Sequence, residues 1–164
     1  MATGYVDPNG DASPLEWSKA GGPPQTYHYQ YLNDGTRQPD VPNTSLWLEG
    51  SGIGVQETLD MGTLTVGTVS SVTLWAYCSA VGETDITASI NMGGWQEWLS
   101  LAPDMTYAWK SKVWDGGSWN QAAMDGLQIA FKQPAGGGTV QVAGCYAEIT
   151  YTTTGTGARV FVID

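Results

Sequence analysis

What most constrains this chain is a series of short runs with a period of two, each closed by a cluster of Gly, Pro, Asn or Asp. Side chains alternate across a strand, so such a run presents one face to a core. Ser71 to Ala80 is the clearest. Val72, Leu74, Ala76 and Cys78 share one phase, and Thr73, Trp75, Tyr77 and Ser79 the other, so two aromatics on the second face leave both faces open to being covered. Thr84 to Met92 repeats the pattern with Ile86, Ala88, Ile90 and Met92 inside. Asn91-Met92-Gly93-Gly94 then closes it before a strand beginning at Trp95 and running to Leu101.

Met105 to Trp114 predicts a further strand, with Met105, Tyr107, Trp109, Ser111 and Val113 on one face and Lys110 and Lys112 in the exposed phase. Asp115-Gly116-Gly117-Ser118 is expected to turn. Asn120 to Met124 predicts the single short helix, with Asn120 as N-cap and Gly126 near its stop. Gly126 to Gln133 sets Leu127, Ile129 and Phe131 on one face, and Pro134 to Gly138 turns the chain into a last long strand, Thr139 to Tyr151. There Val140 and Val142 occupy one phase, and Cys145, Ala147, Ile149 and Tyr151 the opposite one. One extra residue near Ala143-Gly144, a β-bulge, brings both sets to the same side. Nearer the N-terminus, Tyr27, Tyr29 and Tyr31 alternate with His28, Gln30 and Leu32, which reads as an aromatic-faced strand turned by Asn33-Asp34-Gly35.

Eight or so strands separated by Gly-rich turns predict an all-β fold, an antiparallel two-sheet sandwich of jelly-roll type with one short helix. Parallel winding would need crossover helices that the sequence lacks. Residues 1–24 are expected as an extended N-terminal arm or first strand, 25–151 as the sandwich, and 152–164 as a polar linker with an apolar strand at Val160 to Ile163. Asn43 to Gly62 fits no pattern.

Net charge is -10, and the six Lys and Arg stand singly, so no cluster exists to neutralise successive phosphates. Nucleic acid is not an expected partner, and an acidic field of this kind repels anionic membrane surfaces. No segment has the length and apolarity of a membrane span or the layout of a secretion signal, so the chain is expected to stay in the compartment where it is made. Cys78 and Cys145 are too few for a metal knuckle; buried free thiols are favoured over one disulfide.

Catalysis finds no support in these residues. The one histidine, His28, sits among tyrosines, and a nucleophilic triad would require it beside Cys78, Cys145 or an activated Ser. Asp85, Glu97, Asp104 and Asp115 offer carboxylates for glycosidase chemistry, but nothing selects a pair. Asp7, Asn9 and Asp11 have the alternating spacing of a calcium loop, although Pro8 stiffens it and no distal Glu follows; an Asx-type turn is the favoured reading. No catalytic residue, metal or cofactor is therefore assigned. Trp75, Trp95, Trp109, Trp114 and Trp119 are expected mainly in the core. Exposed aromatic rings also suit stacking on sugar faces, and Trp95 and Trp98, three apart in a strand, would face opposite sides, leaving one exposed.

Val113-Trp114-Asp115-Gly116-Gly117-Ser118-Trp119-Asn120-Gln121-Ala122-Ala123-Met124-Asp125-Gly126-Leu127, followed by Gln128 to Lys132 and by Val142 to Tyr151, resembles a pattern in phage and prophage virion proteins. Asp7 to Ser13 with Trp17-Ser18 is similar to the N-terminal element of that group. The resemblance implies a jelly-roll structural protein that decorates or cements the outside of a phage head. Its partners would be the major capsid protein or other virion subunits, with a homotrimer as its own assembly, made in the host cytoplasm and carried on the virion. Contacts are expected at the termini, through Tyr5, Val6 and Trp17 and through Val160, Phe161, Val162 and Ile163, because a bare apolar strand invites pairing. The alternative is a carbohydrate-binding or host-recognition module of a tail or fibre.

Overall fold

The computed structural model describes residues 1–153, apart from positions 23, 24, 34, 83 and 135. The strands are β1 (Ala2–Val6), β2 (Pro8–Leu15), β3 (Ser18–Gly21), β4 (Leu46–Gly50), β5 (Gln56–Met61), β6 (Val69–Val81), β7 (Thr87–Asn91), β8 (Leu99–Ser100), β9 (Ala108–Trp119), β10 (Gln128–Lys132) and β11 (Thr139–Tyr151), with one short helix, α1 (Gln121–Asp125). Among the described residues they form two antiparallel sheets. One is six-stranded, in the order β3-β4-β11-β6-β9, with β1 also paired to β11; the other is five-stranded, β2-β5-β10-β7-β8. The fold is thus the two-sheet jelly-roll sandwich that the alternation predicts.

The core lies between the sheets. Val72, Leu74, Ala76 and Cys78 of β6 are fully buried, as are Ala88 and Ile90 of β7 and Ile129 and Phe131 of β10. Removing a Leu or Ile side chain from water stabilises the fold by roughly 1.5–3 kcal/mol, and the alternating phase directs each of them inward. The bulge in β11 falls where the phase change requires it. Val142 faces Cys78 and Gly144 faces Tyr77, so Ala143 is the extra residue, and Val140, Val142, Cys145, Ala147 and Ile149 all reach the core. Asn120 caps α1, its side-chain oxygen accepting from Ala123 N at 3.0 Å.

Several expectations give way. Within residues 1–21 the chain forms β1, β2 and β3, distributed over both sheets, three strands where the sequence predicts an arm or one first strand. Tyr29–Tyr31 is a 3-10 turn, not a strand. The Asp11 carboxylate accepts from the backbone N–H groups of His28 and Tyr29 at 3.0 and 2.8 Å, which gives this backbone a partner other than a ladder. Of Trp95 to Leu101 only Leu99–Ser100 pairs as a strand, and β9 begins at Ala108. Asp115 to Ser118 does not turn; it continues β9 through a bulge, since Ser71 faces Asp115 while Val69 faces Trp119. Lys110 and Lys112 face Ala76 and Leu74 across the pair and so lie on the core-side face of β9, the reverse of the expected phase. Charges turned inward on an edge strand discourage pairing with another chain. Val160 to Ile163 lie outside the described residues.

Candidate functional site: an aromatic ledge on the five-stranded sheet

Aromatic residues form three groups by place in the fold; apart from them Tyr5 and Tyr27 are exposed, Tyr27 stacked on Tyr29 at 5.8 Å. The first is internal: Trp17 packs on Phe131 with ring centroids 6.1 Å apart, and Trp114 donates its indole N–H to Glu97 O at 2.9 Å. Of the five tryptophans expected mainly in the core, only Trp114 is buried; Trp75, Trp109 and Trp119 are half-buried, and Trp95 is exposed.

The second group lies on the outer face of the six-stranded sheet. Tyr77 stacks on Tyr107 at 5.6 Å, and Trp109 and Trp75 flank Tyr146 at 5.5 and 6.2 Å. The connection between the 3-10 turn and β4 lies across this layer. Arg37 sits 4.7 Å from the Tyr146 ring, the Asp40 carbonyl accepts from the Trp109 indole at 2.8 Å, and Pro42 is buried. Side chains beside it satisfy one another, with Tyr107 donating to Gln141 and Gln141 donating to Glu49. Both faces of β6 are therefore covered.

The third group is the ledge, formed by residues 95–98 after β7. Gly93 and Gly94, with φ of +77° and +157°, fold the chain back. Gln96 N donates to Ile90 O at 2.8 Å and Gln96 O accepts from the Ser89 hydroxyl at 2.7 Å, anchoring the ledge to the sheet. Outside a regular strand, positions three apart meet. Trp95 and Trp98 stack with centroids 6.3 Å apart and planes 14° apart, so they share a side instead of facing opposite ways. Trp95 is 44% exposed. The Lys132 ammonium stands 5.5 Å from the Trp98 ring. Lys132 belongs to the outer phase of β10, since Ile129 and Phe131 fill the core, and this places the stack on the outer face of the five-stranded sheet.

Across that face runs a polar rail. Gln128 of β10 faces both Asp60 of β5 and Asn91 of β7. The Asn91 amide donates to Gln128 Oε1 at 3.1 Å, and the Gln128 amide donates to Asp60 Oδ1 at 2.9 Å. Fixed amides and a carboxylate beside an exposed flat ring match a ligand with apolar faces and a hydroxyl rim.

His28 has a partner that sequence reasoning missed. Its Nδ1 lies 2.6 Å from Oε1 of Glu57, a β5 side chain directed into the core and fully buried. Glu57 Oε2 also accepts from Trp17 N at 3.1 Å. Burial pushes the Glu57 carboxyl up to about 8, and burial lowers the His28 pKa. Both shifts, each caused chiefly by burial, favour the uncharged forms of the two groups at this contact. It ties the 3-10 turn to the core. In β5 Glu57 shares its inward phase with Leu59 and Met61, in a stretch that fits no sequence pattern, and the tertiary structure supplies its partner.

The remaining candidates separate. Asp7 pairs with Arg37 and Asp11 holds the 3-10 turn, so two of the three residues with calcium spacing have protein partners. Asp104 pairs with Lys110, and Asp85 accepts from Ile86 N and Ala102 N. Cys78 and Cys145 are buried thiols not joined in a disulfide, and burial raises the Cys78 thiol to about 12. Among the expected contact residues, Tyr5 is 50% exposed, whereas Val6 and Trp17 belong to the core and are not available to a partner.

No family model matches the chain, and no curated protein matches it. Solved structures do match. The C-terminal CBM6 of LamC, a marine laminarinase from Zobellia galactanivorans, has a TM-score of 0.51 at 9% identity, covering 91% of this chain and 99% of that one. The chain shares its fold with a carbohydrate-binding module. The Agl-KA catalytic domain matches with a TM-score of 0.50 at 11% identity, over 93% of this chain and 28% of that one. At these identities the likeness concerns the fold alone.

Proposed function

We propose that this chain is a non-catalytic carbohydrate-binding or host-recognition domain that holds glycan against the Trp95–Trp98 ledge. The carrying observation is the stacked indole pair with one ring open to solvent beside the Asn91–Gln128–Asp60 rail. A pyranose presents axial C–H groups to the ring and hydroxyls to the rail. The sandwich shared with a carbohydrate-binding module supports the reading. Titrating neutral oligosaccharides while following tryptophan fluorescence tests it. Wild type is expected to respond at millimolar sugar, and Trp95→Ala and Trp98→Ala to respond weakly or not at all; silence from wild type across a glycan array rejects the reading.

Capsid decoration is the second proposal, and it rests on the resemblance of Val113 to Lys132, Val142 to Tyr151 and Asp7 to Ser13 with Trp17-Ser18 to virion proteins. Its contacts would be the exposed Tyr5 and the apolar segment Val160 to Ile163. Native mass spectrometry is expected to show a trimer that is lost on deleting residues 154–164. A monomer in both forms, without capsid binding, counts against it.

A further inference from the structure

The motif Asp115-Gly116-Gly117-Ser118 makes no turn and has no part in the ledge, yet it bends β9 beside a cavity. The cavity, about 310 Å³, lies along the side of the sandwich where the edge strands β8 and β9 run. Its lining is Gln96, Glu97, Leu99, Val113, Trp114, Asp115 and Trp119. The bulge sets Trp119 at this site: a side chain at Gly117 would meet three Trp119 ring atoms within 2.4–2.5 Å, so the indole lies flat against the strand there. Gly116, at φ +73°, supplies a conformation that other residues rarely adopt. Bulges commonly re-aim a side chain in this way beside a site.

The chemistry of the lining is one-sided. Glu97 and Asp115 are both exposed carboxylates, and among the described residues neither side chain has a hydrogen-bond or ion-pair partner. Lys and Arg are absent from the lining, and the chain carries a net charge of -10. Trp114 and Trp119 supply aromatic surface, with Leu99 and Val113 completing the apolar part. A volume of this order is at the lower end for small-molecule sites, which fits a single sugar ring. Aromatic faces with nearby carboxylates attract an ammonium group both through the ring quadrupole and by charge. A uronate or sulfated sugar would meet only repulsion.

We infer that this cavity is a second binding site, separate from the ledge, that takes a sugar residue bearing a free amine, with its ring against Trp119 and its ammonium held by Glu97 and Asp115. Gln96 and Glu97 belong to the same segment as Trp95 and Trp98, so the ledge and the cavity are neighbours on one chain turn. The assignment does not require the ledge to bind.

The test uses the full chain and calorimetry with three probes: a glucosamine oligomer with free amines, its fully N-acetylated counterpart, and a neutral glucose oligomer. The glucosamine oligomer is expected to bind wild type, and Glu97→Gln with Asp115→Asn to weaken it by about tenfold or more. Asp40→Asn, which removes one charge on the connection over the opposite sheet, controls for general attraction of a polycation and is expected to leave binding nearly unchanged. Trp98→Ala is expected to retain amine binding while losing the neutral oligomer, so the fate of the ledge reads out separately. Absence of glucosamine binding by wild type, equal binding of the N-acetylated oligomer, or equal losses in the cavity double variant and Asp40→Asn would each overturn the assignment.

Discussion

Glu57 is the residue at which pattern and chemistry part company. Its position in β5 is a core position, and the core accepts it because Trp17 N donates to one oxygen and His28 meets the other. A lone buried carboxylate is costly unless it is neutralised or paired. Here its pKa rises from 4.5 to about 8, chiefly by desolvation, with Asp11 and Glu16 adding repulsion and two backbone hydrogen bonds opposing the rise. The folded chain thus keeps a proton that the unfolded chain releases in that interval. The resulting stability is complete below about 4.5 and is lost as pH rises through about 8. His28 runs the other way: its lowered pKa gives stability present above 6.5 and lost as pH falls. Urea denaturation between pH 6.5 and 9 isolates Glu57, and wild type is expected to lose about 2 kcal/mol over that range. Glu57→Gln should flatten the slope. An equally steep slope in the variant would place the titration elsewhere.

At the scale of elements, two bulges do different work. In β11 the extra residue Ala143 reconciles two hydrophobic phases, and the alternation alone located it. Deleting Ala143 slips the register by one and turns Val140 and Val142 away from the core, so a loss of about 3 kcal/mol or more is expected in chemical denaturation. Gly144 next to it lies under the connection to β4, where an added Cβ would stand 2.8 Å from Pro42. In β9 the bulge was not legible, because Asp-Gly-Gly-Ser has the composition of a turn and only pairing with β6 keeps it extended. Gly117→Ala is expected to displace the Trp119 ring and to cost about 1–3 kcal/mol by overpacking, seen as a shifted tryptophan emission together with a lower melting temperature. The 95–98 segment was misread for a related reason: its backbone bonds run to Ile90 and Ser89 in place of a full ladder, which removes the period of two.

For the whole molecule, the sandwich separates stability from recognition. The core lies between the sheets, whereas Trp95 lies outside it, so Trp95→Ala is expected to leave the unfolding free energy within about 1 kcal/mol of wild type while abolishing the response to neutral glycan. A fall of several kcal/mol would make Trp95 a structural residue. Thr152 N donates to Thr68 O, and Thr152 O and Oγ1 accept from Gly67 N and Thr68 N, so Thr152 belongs to the fold and a truncation that spares it must cut later. By itself the sequence determined the fold class, the inward residues of β6, β7, β10 and β11, the β11 bulge and the capped helix. Each follows from alternation or local backbone chemistry, which act over a few residues. The tertiary structure alone decided that Trp95 and Trp98 share a side, that His28 meets Glu57, that β1 to β3 belong to the sheets, and that Trp114, Trp119, Glu97 and Asp115 line one cavity. Those outcomes depend on which distant strand or loop satisfies a backbone group or covers a ring, and no local period carries that information.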